Sequence, residues 1–136
     1  MAVKAHMRPA LELIAREIAA YTKEQGLKRS EFSLSGAWQE RTDRVSLVLN
    51  TTKSAPWFSW YRDIIRRLQS TFEKAGAPEA TWNVGLVVQT DRDQGELHSG
   101  FRLADGEEDV TDYLEAIIEK EWPNLEPSHT AIIVPD

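Results

Sequence analysis

The chain contains no cysteine among its 136 residues. That excludes disulfides, thiolate metal sites and thiol nucleophiles, and it is compatible with a reducing compartment. No run approaches the ~18 consecutive apolar residues of a membrane helix. The opening stretch MAVKAHMRPALELIAREIAA is interrupted by Arg8, Glu12, Arg16 and Glu17, so it lacks the apolar centre of a signal peptide. A soluble, cytoplasmic protein with no membrane association is expected.

The chain also lacks the common chemical motifs. GxxxxGK[ST] and GxGxxG, whose glycines cradle phosphates, do not occur, nor does the GxSxG nucleophile elbow. This weakens the case for nucleotide-dependent and hydrolytic enzymes. The three histidines, His6, His98 and His129, form no HxxxH or HExxH pair. The turn DRDQGE has the D-x-D-x-G start of a calcium loop. Counting from Asp91, however, Gly95 falls fifth and Arg102 twelfth, where an EF-hand needs glycine sixth and glutamate twelfth. No metal or cofactor is expected.

What is present reads as an ordinary domain. Hydrophobic residues make up 41% and charged residues 28%, near globular averages. The length fits one domain over 1–136, with 1–8 expected to fray. The net charge of −6 is unevenly placed. Residues 1–90 hold 13 Lys/Arg against 9 Asp/Glu, whereas residues 91–136 hold 3 against 13. The acidic C-terminal third repels phosphate and would attract a basic partner; it also serves simple solubility.

Hydrophobic periodicity predicts the elements. Leu11, Ile14, Ala15, Ile18 and Tyr21 recur at helical spacing over 9–25, with Gly26 as the stop. EFSLSGAW and RVSLVL alternate Phe32, Leu34, Gly36 and Trp38, then Val45, Leu47 and Leu49, as a hairpin. A second helix follows, with Ser54 as N-cap, Pro56 just inside the start and Gly76 at the end. TWNVGLVVQT and ELHSGFRL read as two more strands, with Trp82, Val84, Leu86, Val88, Leu97, Phe101 and Leu103 facing inward. ADGEED reads as an acidic turn. A third helix is capped by Asp109, carries Val110, Tyr113, Leu114, Ile117, Ile118 and Trp122, and stops at Pro123; TAIIV is a last strand.

The order is α-β-β-α-β-β-α-β, an α+β fold with an antiparallel sheet and helices packed on one face. An offset of 50 residues aligns Ile14, Ile18, Gly26, Phe32 and Leu34 with Ile64, Leu68, Gly76, Trp82 and Val84. An α-β-β pseudo-repeat of about 50 residues accounts for this, and so does chance alignment of similar elements.

The heptapeptide PWFSWYR at 56–62 opens the second helix. At about 100° per residue, Trp57 and Tyr61 fall in the stripe of Ile64, Leu68 and Phe72 and are expected in the core. Phe58 is expected mostly buried at the margin. Trp60 lies about 90° off, on the flank of Arg67. That makes Trp60 the aromatic candidate for contacting a partner, stacked on Arg67. The opposite sheet face is expected to be open and polar, carrying Ser33, Ser35, Ser46, Asn50, Gly85, Gln89, His98 and Arg102.

In size, acidity and element order the chain is similar to small bacterial secretion chaperones and to some immunity proteins that neutralise toxins. That likeness rests on no particular residues and brings no site with it. The first expectation is a non-enzymatic protein-interaction domain: a chaperone, adaptor, inhibitor or immunity-type protein. It would hold a basic partner through Glu107, Glu108, Glu115 and Glu119 or through the open sheet face, with Trp60 and Arg67 as further contacts and self-association as a homodimer open. The alternative is an enzyme using His98 and Arg102 on that face. A third reading, nucleic-acid binding through Arg62, Arg66 and Arg67, is disfavoured by the acidic third and by the absence of aromatic stacking platforms on the sheet.

Overall fold

A computed structural model describes residues 8–39, 41–42, 44–52, 55–76, 84–90, 103 and 105–124. Within them three helices cover a four-stranded sheet, an α+β arrangement. Helix α1 spans Arg8–Glu24, α2 Trp57–Lys74 and α3 Thr111–Glu121. The strands are β1 Phe32–Gln39, β2 Arg44–Thr51, β3 Val84–Thr90 and β4 Glu107–Asp109, in the spatial order β3-β2-β1-β4. Short 3₁₀ turns lie at Arg29–Glu31 and Trp122–Asn124.

The first helix follows its stripe. Leu11, Ile14, Ala15, Ile18 and Tyr21 are all buried. Gly26 ends the helix at φ +87°, a conformation that glycine adopts without steric cost. It lets Leu27 N donate to Thr22 O at 3.1 Å, which occupies one of the last helical carbonyls.

The sheet is mixed, not purely antiparallel. β1 pairs antiparallel with β2, placing Leu34 opposite Leu49 and Trp38 opposite Val45. β3 pairs with β2 in parallel, Leu47 beside Leu86 and Leu49 beside Val88. The reason is the connection. The 18 residues of α2 carry the chain back about 27 Å along the sheet, so the next strand starts at the same end as the last. Strands joined by such a helical crossover run parallel.

Residues 107–109 of ADGEED were expected in a turn. They are strand β4, which pairs antiparallel with the outer side of β1: Ala37 opposite Asp109, Gln39 opposite Glu107. Three acidic residues are poor strand formers. Here the backbone bonds offered by β1 override propensity. Leu103, expected to face inward, is exposed. The rest of the strand predicted over 96–103, all of that over 130–134, and Trp82 and Phe101 lie outside the described residues.

Gly36 decides how α3 docks. A Cβ there would meet Leu114 Cδ1 at 2.6 Å, Leu47 Cδ2 at 3.2 Å and Val110 Cγ2 at 3.3 Å. Its N–H donates to Thr111 Oγ1 at 3.1 Å, and its carbonyl accepts from Val110 N at 2.9 Å. The start of α3 therefore lies directly on the strand backbone. Asp109 caps this helix from one residue further out than expected: Val110 holds the N-cap position, and the Asp109 carboxylate accepts from Thr111 N at 2.9 Å.

Candidate interaction surface

The second helix begins two residues later than the sequence suggests. Pro56 occupies the N-cap position rather than the first turn, and its carbonyl accepts from Trp60 N at 3.0 Å. Ser54 lies outside the described residues. From there the buried stripe is Trp60, Ile64, Leu68 and Phe72, a strict i, i+4 row.

This inverts the expected sorting of PWFSWYR. Trp60 is buried, with 7% of its surface accessible, whereas Trp57, Phe58 and Tyr61 are 61%, 59% and 39% exposed. The cause is where α2 lies. It packs against α1 on one flank and against β3 beneath. The α1 flank covers Trp60, whose ring meets Tyr21 edge-on. Trp57, Phe58 and Tyr61 lie on the side of β3, the outermost described strand there, and stay exposed. Periodicity locates a stripe but does not say how wide its cover is.

The same flank holds Arg67. Its Nε donates to Glu17 at 3.0 Å, and its two terminal nitrogens donate to the two Glu24 oxygens at 2.8 and 3.1 Å. Its guanidinium lies 5.5 Å from the Tyr21 ring centroid, so the cation–π partner is Tyr21, not Trp60. The hydrogen bond to Glu24 chiefly holds the guanidinium in its charged form. Tyr21 Oη donates to Asp63 Oδ2 at 2.8 Å. Burial, then this bond, pushes the Tyr21 phenol well above its ordinary value. Trp60 and Arg67 thus knit two helices together inside the fold.

The exposed aromatics line a cleft. Trp57, Phe58 and Tyr61 face Leu86, Val87 and Val88 of β3 across about 400 Å³. Val87 is itself 51% exposed. A second cleft of about 480 Å³ continues from Tyr61, Leu86 and Val87 to Arg44, Ser46, Val48, Gly85 and Glu107. The Arg44 guanidinium occupies the space above Gly85, 2.5 Å from where a Cβ would stand. Trp57 and Phe58 meet edge to face at 5.7 Å, so the rings support one another without a core behind them.

The acidic candidates divide. Glu115 is held inside the molecule: one oxygen bonds Arg29, and the other accepts from Leu34 N at 2.7 Å. Glu119, largely exposed, reaches Arg29 Nε at 2.8 Å. Glu107 and Glu108 lie half-buried on β4. The sheet face expected to be open is uneven. Ser35 and Asn50 are buried, and Gln89 Nε2 donates to Asn50 Oδ1 at 2.6 Å, while Val87 and Gln89 are exposed. His98 and Arg102 lie outside the described residues.

Among the described residues no three His, Cys, Asp or Glu side chains are grouped to hold a metal. No described helix is long and apolar enough to cross a membrane. The chain matches no family model, no curated protein and no solved structure.

Proposed function

We propose that this is a non-enzymatic protein-interaction domain that engages its partner through the aromatic cleft between α2 and β3. One observation carries the reading: Trp57, Phe58, Tyr61 and Val87 are exposed together on one surface. Isolated exposed apolar residues are common, but a contiguous group with three aromatics is what interfaces concentrate. Trp and Tyr bring large contact area at low conformational cost, which suits them to anchor a partner.

The acidic route to a basic partner has less support. Glu115 already bonds the chain's own Arg29 and Leu34. The enzyme reading rests on His98 and Arg102, to which the described geometry adds nothing. The nucleic-acid reading loses Arg67 to Glu17 and Glu24, leaving Arg62 and Arg66.

The test is affinity capture from the source organism's extract with wild-type protein and a Trp57→Ala/Phe58→Ala double variant as baits. The reading expects proteins retained by the wild type and lost by the variant. Identical retention by both baits sinks it.

A further inference from the structure

The two edges of the described sheet are unequal. On one side lies β4, three residues long and wholly acidic. Short length and charge are among the means by which natural sheets keep an edge from pairing with another chain. On the other side lies β3, seven residues with no charge and no proline, VGLVVQT. Its inner side is bonded to β2 in parallel, and no described strand lies on its outer side. Within Val84–Gln89 the backbone groups of alternate residues point away from β2, toward whatever strand lies next. The exposed aromatics stand at the middle of this edge. Trp57, Phe58 and Tyr61 face Leu86, Val87 and Val88, and Val87 is half exposed.

We propose that β3 pairs antiparallel with β3 of a second copy of this chain, about a two-fold axis through Val87. The inference rests on the interaction-domain reading above and names its partner. Full overlap of Val84–Thr90 with itself puts the midpoint, Val87, on the axis. Leu86 then stands opposite Val88 of the other copy, and Gly85 opposite Gln89. Aliphatic and β-branched cross-strand pairs stabilise a sheet, like charges directly opposite destabilise it, and this strand holds no charge. The axis passes through the strand segment that lines the aromatic cleft, so the same patch meets itself, as a two-fold interface requires.

The surrounding charges allow this occupant. The described α2 residues that line the clefts are Trp57, Phe58 and Tyr61, none of them charged. Arg44, lying over Gly85, is two residues from the axis. It is therefore about 14 Å or more from its own copy, and the strand position across from it is the neutral Gln89.

The test is sedimentation velocity of the full-length protein over a concentration series. The wild type is expected to dimerise. Val87→Lys places two ammonium groups opposite each other and should weaken association at least about fivefold. Val87→Thr, β-branched and uncharged, should remain a dimer. Val87 is exposed in the single chain, so both variants should fold, and circular dichroism checks that. The chain has no cysteine, so single introduced thiols report the register. Val87→Cys should crosslink to its own copy under mild oxidation, because residues directly opposite have Cα atoms about 4.5–5.5 Å apart. Gln89→Cys should not, because four residue steps, about 14 Å, separate the two thiols.

Three results overturn the inference. A dimer indifferent to Val87→Lys, or thiols at 87 and 89 that crosslink equally or not at all, discards the pairing. A wild-type monomer at every concentration also discards it and leaves the interaction-domain reading to the capture experiment. A monomer that dimerises only after removal of residues 125–136 makes the chain's own TAIIV the occupant of the edge.

Discussion

The rings of Tyr21 and Trp60 meet edge to face, centroids 5.8 Å apart and planes at 89°. One belongs to α1 and the other to α2, so this contact fixes how the two helices lie against each other. It also makes Trp60 a core residue, where Trp57, three residues earlier, is not.

The two tryptophans should therefore differ sharply. Trp60→Ala is expected to cost about 3–5 kcal/mol through cavity formation. Trp57→Ala is expected to stay within about 0.5 kcal/mol. Urea unfolding of the two variants measures both, and equal losses would contradict the assignment.

Gly36 should resist even one added methyl. Ala at this strand position would ordinarily be favourable to backbone entropy. Here its Cβ meets three core side chains, the nearest at 2.6 Å, around a fully buried Leu114. Gly36→Ala is expected to lose about 1–3 kcal/mol from overpacking. A stabilised variant in thermal unfolding would show that α3 docks less closely than described.

Glu115 and Glu119 share Arg29 but should not share its importance. Removing Glu115 leaves the Leu34 N–H without its acceptor and takes one of two carboxylates from a largely covered guanidinium. Glu115→Ala should cost about 1–3 kcal/mol. Glu119, 66% exposed, should cost less than about 0.5 kcal/mol. A thermal melt of each variant decides. The larger loss at Glu115 would also explain any failure of charge reversals there as failure to fold.

Alkaline stability should depend on Tyr21. Below about pH 10 its phenol is protonated in both folded and unfolded chains, so it adds no pH dependence. Above that the unfolded chain releases the proton first, because the folded value is raised. Stability then falls as pH rises, until the folded phenol also ionises. Urea midpoints at about pH 9 and about pH 11 should fall less in Tyr21→Phe than in the wild type. Tyr113, raised by burial and by Glu12, supplies a remaining slope. An equal fall in both proteins would remove Tyr21 from the account.

Local patterning was enough for much of this molecule. The α1 stripe, the hairpin with Leu34 and Leu49 on its buried face, the glycine stop at 26 and the α3 stripe through Leu114 and Ile118 all follow from local patterning. These features depend on neighbours a few residues away, and the sequence states those directly. Three things waited for the tertiary structure. The parallel pairing of β3 depends on α2 carrying the chain back to the end where β2 begins and on β3 then docking beside β2. The strand at Glu107–Asp109 exists because β1 offers it a partner, against its own propensity. The division of PWFSWYR into one buried and three exposed aromatics depends on α1 covering the Trp60 flank of α2 while the side toward β3 is left as an open cleft. A helical wheel gives each side chain an angle; only packing decides which angles meet another element and which meet water.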